Sequence, residues 1–161
     1  MRRKDKEILP DLIQRVIDAA QVCRLGLCKD NIPYIVPVSF GYDGTSLYFH
    51  TAIDGRKIEF ITANNQVCFE IEHEVAVIPN NDRACGWSFS FYSIIGYGAV
   101  EELTEDADKL RGLQLIMEHY SGRGDWEFQD QHLQNVRVWR IRIEQVSGKQ
   151  SKDKASASSS T

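Results

Sequence analysis

The chain has no C-x-x-C pair, and none of its four cysteines, Cys23, Cys28, Cys68 and Cys85, has a histidine at zinc-ligand spacing. That removes the common zinc arrangements, and no metal is expected. No apolar run approaches the roughly 20 residues that a membrane helix needs, and residues 1–6 lead into no apolar segment of the signal-peptide kind. The expectation is a soluble, cytoplasmic protein. A strong charge imbalance is also missing: the formal net charge is -4, which gives no general attraction to nucleic acid or to acidic membranes. There is no internal repeat, and strands and helices do not alternate regularly, which argues against a parallel α/β sheet.

What is present reads as one globular domain. Of the 161 residues, 42% are hydrophobic and 10% aromatic, enough for a single sizeable core and too little chain for two typical domains. The domain spans residues 1–149, and a Ser- and Lys-rich segment at 150–161 reads as a disordered polar tail. Apolar patterning already stops after Val146.

Leu12, Ile13, Val16, Ile17 and Ala20 recur at helical spacing, so residues 10–20 are expected to form an amphipathic helix. A strand over 22–28 turns at Asp30-Asn31 into a strand over 34–42 that is apolar on both faces and so expected to be buried. Pro37 lies within that strand. Because proline cannot donate to a ladder, pairing is interrupted there and main-chain groups become free for a ligand. Asp43-Gly44 signals a hairpin that lays residues 46–51 against the Pro37 strand and brings His50 and Thr51 near its start. A strand over 67–72, a loop over 75–86 and a long alternating strand over 87–103, bent at Gly96 or Gly98, follow. Thr104-Glu105-Asp106 opens a helix that ends near Gly122, and a polar connection leads to a last strand from Val136 to Val146. The order fits a mainly β protein: about six strands in an antiparallel split β-barrel with flanking α-helices.

One stretch conflicts with its own local physics. Between the strand ending at Thr51 and a short helix stand Asp54, Gly55, Arg56 and Lys57. With Asp54 as the cap, both cations fall in the first turn, where exposed N–H groups and the macrodipole already make the end positive. An anion, above all a phosphate, would resolve the conflict; two solvated side chains are the other reading.

The segments Pro33-Tyr34-Ile35-Val36-Pro37-Val38-Ser39-Phe40, Leu47-Tyr48-Phe49-His50-Thr51-Ala52 with Gly55-Arg56-Lys57, and Tyr92-Ser93-Ile94-Ile95 followed by Gly98 occur in this order and spacing. In this the chain resembles the flavin-binding split barrels related to pyridoxamine 5′-phosphate oxidase, and among them the nitroimidazole-resistance (Nim-type) proteins. The resemblance implies a homodimer with FMN in each of two clefts between subunits. It places Arg56 and Lys57 at the FMN phosphate with Thr51 near them, Val36, Pro37 and Val38 along the flavin ring, and Ser93 at its border. His50 stands where the oxidase has Tyr, and is read as a cofactor-site residue that sits near the electron acceptor as a catalytic proton donor or orienter, with a strand histidine bonded to backbone as the other reading. The implied activity passes electrons from a reduced nicotinamide to a small aromatic or nitro-substituted acceptor; a flavin-storage protein, or a barrel holding haem or a deazaflavin, are the competing readings. Tyr34 and Ser39 replace the arginine and lysine of the oxidase motif, and the oxidase's C-terminal arginine motif is missing. Vitamin B6 oxidation is therefore not expected. His73, His119 and His132 read as surface residues, and Arg140 and Arg142 either reach the cofactor or solvate the outer face, the second being the favoured reading.

Overall fold

A computed structural model describes residues 7–151. The expected tail beyond 151 lies outside the described residues. Helix α1 (Pro10–Ala19) starts with proline in its first turn and buries Val16 and Ile17, since proline's missing N–H costs nothing there. Then come β1 (Cys23–Lys29), β2 (Ile32–Val38), β3 (Gly41–Tyr42), β4 (Ser46–Thr51), α2 (Arg56–Ala63), β5 (Gln66–Ile78), β6 (Ser88–Leu103), α3 (Asp106–Ser121), a short α4 (Asp130–Gln134) and β7 (Arg137–Gln150). The strands form one antiparallel sheet of seven in the order β2-β1-β5-β6-β7-β4-β3.

The seventh strand corrects the expected six, and it arises where the barrel splits. Instead of one strand over 34–42, the chain leaves β2 at Val38 and re-enters the sheet as β3 at the opposite edge. Only Ser39 and Phe40 lie between, so the two edges must lie within roughly 10 Å of each other, three residue steps of about 3.3–3.6 Å. The sheet is therefore curled but not closed by hydrogen bonds. The link is held by α3: the Phe40 N–H donates to the Tyr120 hydroxyl at 3.1 Å, and that hydroxyl donates to the Gln21 carbonyl at 2.8 Å. It follows that β4 pairs with β3 and β7, and not with the Pro37 strand as expected.

Leu25, Phe40, Phe49, Phe69, Ile71, Ile94 and Ile141 fill the barrel interior at 0–1% exposure. A second cluster lies outside the barrel wall, where Leu113, Leu115 and Ile116 of α3 cover Tyr48 of β4 and Val138 of β7.

Two lengths differ from expectation. β5 runs on to Ile78 through a bulge between His73 and Ala76, so part of the expected loop is strand. β7 takes in residues 147–150, which pair with Tyr92–Ile95 of β6. The expected bend in β6 is present as a register shift at Tyr97/Gly98, where a Cβ on Gly98 would lie 2.0 Å from the Arg142 carbonyl oxygen. Among the described residues, no helix is long and apolar enough to cross a membrane.

Candidate functional site

The start of α2 is built differently from the sequence expectation. Gly55, not Asp54, is the cap, at φ 131° and ψ 168°, a region open essentially to glycine alone. Its carbonyl accepts from the N–H groups of Ile58 and Glu59 at 2.9 and 3.2 Å, and no side chain caps the helix. The first turn therefore keeps uncapped donors, and Arg56 and Lys57 are its first two residues.

Both cations lie over aromatic rings. The Arg56 guanidinium lies 5.0 Å from the Tyr34 ring centroid on β2 and 5.5 Å from that of Phe60. Lys57 Nζ lies 5.8 Å from the ring of Phe49 on β4. Neither forms an ion pair among the described residues, while Arg24, Arg137, Arg140 and Arg142 all pair with glutamates. Burial pushes the Lys57 ammonium below its ordinary pKa, with no carboxylate to oppose the shift.

Val36, Pro37 and Val38 lie on β2, the sheet edge opposite β3; β2 pairs with β1 alone, so its other side carries no strand. The strand is less buried than expected: Ile35 is 70% exposed and Pro37 is exposed, while Val38 points into the core. Thr51 is placed beside the helix start, but its hydroxyl is already engaged. It accepts from Trp139 Nε1 at 3.0 Å and donates to the Ala52 carbonyl at 2.7 Å, which fixes the end of β4.

His50 projects to the outer side of β4, and both burial and the nearby Lys57 charge lower its pKa, burial first. The neutral imidazole is thus favoured. It lines a cavity of about 370 Å³ together with Leu113, Ile116 and Met117 of α3, Phe128 and His132. Sequence reasoning missed this cavity; His132 is exposed, as expected, and lies at its rim, and the local hints were the apolar Trp126, Phe128 and Leu133 within a mostly polar connection. His119, by contrast, is no free surface residue, as its Nε2 lies 2.7 Å from the Ala20 carbonyl oxygen and its ring packs on Phe40.

Ser93 is not brought to this group within one chain. His50 is opposite Val138, and Val138 is opposite Leu103, at the far end of β6 from Ser93. The face of the sheet that carries Ser93 is mixed: Glu72 and Lys149 stand opposite Ser93 and Arg24 pairs with Glu70 and Glu72, while an apolar row lies beside them. Ile35, Gly26, Cys68 and Tyr97 form one register row across four strands, with Tyr97 52% and nearby Ile95 42% exposed. All four cysteines are free; Cys23 is buried, with its thiol pushed up to about 12, whereas Cys28 is exposed. Arg140 and Arg142 clasp Glu101 across the β6–β7 ladder.

Comparison with known proteins gives a consistent picture. The family described as pyridoxamine 5′-phosphate oxidase matches residues 10–150. A solved structure of a candidate 5-nitroimidazole antibiotic resistance protein from Bacteroides thetaiotaomicron VPI-5482 superposes with a TM-score of 0.79 at 30% identity, covering 89% of this chain and 85% of that one. An FAD-binding protein from Mesorhizobium loti superposes with a TM-score of 0.67 at 25% identity, over 91% of this chain and 98% of that one. An FAD and heme binding protein from Mycobacterium smegmatis reaches a TM-score of 0.81 over 95% of this chain and 80% of that one, but at 16% identity the likeness concerns fold alone. An uncharacterized protein of Rhizobium meliloti (strain 1021) is 36% identical over 58 residues, 36% of this chain, and the match spans only 38% of that relative's length.

Proposed function

Given that the chain belongs to the pyridoxamine 5′-phosphate oxidase family, we propose that it binds FMN between the α2 start and the open edge of β2 and acts as an FMN-dependent oxidoreductase. Electrons would come from a reduced nicotinamide and go to a small aromatic or nitro-substituted acceptor. The observation that carries this reading is the half-buried Lys57, without an ion-pair partner among the described residues, beside Arg56 at an uncapped helix start. A desolvated cation with no counter-charge is costly to a fold unless a ligand supplies the charge. One phosphate fits two adjacent cations and the free N–H groups of a first turn.

Bound FMN would supply the redox chemistry that the side chains lack. The chain's own residues hold and orient. Arg56 and Lys57 take the phosphate, with Arg56 steadied on the Tyr34 ring. The unpaired side of β2 at Val36, Pro37 and Val38 offers main-chain groups to a flat ring. Thr51 keeps β4 in register through Trp139. His50, held neutral, presents one donor and one acceptor nitrogen to an acceptor molecule.

The exposed row through Ile35 and Tyr97 belongs, in this reading, to a homodimer. A second copy there would bring Ser93 of one subunit toward the cations of the other, which the single chain does not do. Replacing both cations, Arg56→Ala with Lys57→Ala, is expected to weaken FMN binding at least tenfold, or about 1.4 kcal/mol, measured by quenching of flavin fluorescence. Unchanged affinity removes the phosphate assignment. Rapid bleaching of the flavin by NADH or NADPH, followed by reoxidation with a nitroaromatic, supports an enzyme over a storage protein. A Soret band in the purified protein would point to haem instead.

A further inference from the structure

The cavity outside the β4 wall is not explained by holding a phosphate or a flavin ring. Its floor is α3, where Leu113 and Ile116 are buried and Met117 is half-buried. Phe128 forms a side wall from the connection before α4. Polar side chains enter from His50, His132 and Asn135 alone. A space of about 370 Å³ falls at the lower end of the roughly 300–1,000 Å³ typical of small-ligand sites.

We propose that this cavity binds a flat, uncharged heteroaromatic molecule of one or two fused rings, apolar body against Met117 and Phe128, polar edge toward His50 and His132. The inference rests on the oxidoreductase reading only in identifying this ligand as the electron acceptor. Charge is selected against on both signs. A cation would meet Lys57 close to His50, and any ion would give up hydration against apolar walls. Imidazole nitrogens can donate or accept, so the polar edge is recognised at His50 and His132 whether it carries a ring nitrogen, an N–H or a nitro oxygen. Met117 gives the site tolerance of shape, being unbranched and polarizable. His132 is the specificity-determining residue of the pair, since His50 belongs to a strand and His132 to the short α4, which can vary without disturbing the barrel.

Benzimidazole at pH 7.5, where it is uncharged and has no redox role, is a suitable probe by isothermal titration calorimetry on the full chain, with and without FMN. One saturable site per chain is expected. Met117→Trp, which fills the cavity, is expected to weaken binding tenfold or more, Met117→Leu to leave it within twofold, and His132→Ala to weaken it at least threefold. The Arg56→Ala, Lys57→Ala double variant separates the two assignments: it loses FMN affinity and keeps benzimidazole. Absence of saturable binding to the wild-type chain overturns the inference, including the case where a neighbouring subunit's side chain already fills the cavity. Wild-type affinity in both Met117→Trp and His132→Ala overturns it too. If Met117→Trp fails to fold by circular dichroism, the exposed His132→Ala decides alone.

Discussion

The starts of α2 and α3 are built on opposite principles within one chain. α3 begins with Asp106 and Asp108 in its first turn and ends on Gly122 in the left-handed region, with the Gly122 N–H returned to the Glu118 carbonyl. Dipole, charge and terminus agree there. Neither start has a side-chain cap, but α2 begins with Arg56 and Lys57 behind a glycine in a rarer conformation. α3 is a helix built for packing, as its contacts with Tyr48 and Val138 show. α2 gives up local stability at its first turn, and such concessions collect where a ligand completes the structure.

The backbone half of this contrast can be tested with two alanines. A Cβ at Gly55 or at Gly122 would meet nothing within 4 Å, so any cost is conformational. Gly55→Ala is expected to destabilise the protein by about 1–3 kcal/mol, the cost of a non-glycine residue in that sparse region. Gly122→Ala, in the ordinary left-handed well at φ 71°, is expected to cost about 1 kcal/mol. Urea unfolding of the two variants ranks them; equal costs would mean that the α2 start is not a strained feature.

The electrostatic half predicts smaller effects of opposite sense. Asp106→Asn removes a charge favoured by its dipole and is expected to lose about 0.3–1 kcal/mol. Lys57→Gln, without ligand, removes a partly desolvated cation from a positive helix end and is expected to lose no stability, while FMN affinity falls. Thermal unfolding with and without FMN reads both. A Lys57→Gln protein that is less stable than wild type in the absence of ligand would make Lys57 a structural residue.

Local signals were legible because the residues that determine them are adjacent. Asp30 and Asn31 both take the positive φ that a tight hairpin requires, and Asp43 closes the next turn by accepting from the N–H groups of Thr45 and Ser46. The Arg56-Lys57 anomaly was visible for the same reason. The division of residues 34–42 into β2 and β3 was not, since it depends on Tyr120, far along the chain, engaging the Phe40 N–H. The cavity is also tertiary: His50 and His132 meet only after β4 and α4 pack around α3. Residues 147–150 have no apolar rhythm, since the two positions buried in alternation are Gly148 and Gln150, and their strand character shows only in the pairing with β6. Local chemistry therefore pointed to the proposed anion end of the site, and only packing pointed to the apolar end.

The subtlest test of the α2 region lies in its effect on His50. Burial and Lys57 set the imidazole pKa below its ordinary 6.5, so the folded chain binds fewer protons here than the unfolded chain over the interval between the two values. Stability from this group is fully present above the unfolded pKa and is lost as pH falls through the folded one. His50→Asn removes that dependence, whereas Lys57→Gln removes only its second cause and is expected to reduce it in part. Urea midpoints at pH 7.5 and pH 5.5 are the measurement, with each variant compared with wild type so that the carboxylates cancel. Wild type should lose more stability on acidification than Lys57→Gln, and Lys57→Gln more than His50→Asn. The same loss in all three would show that Lys57 exerts no field on His50, and would sever the anion site from the apolar cavity that His50 joins to it.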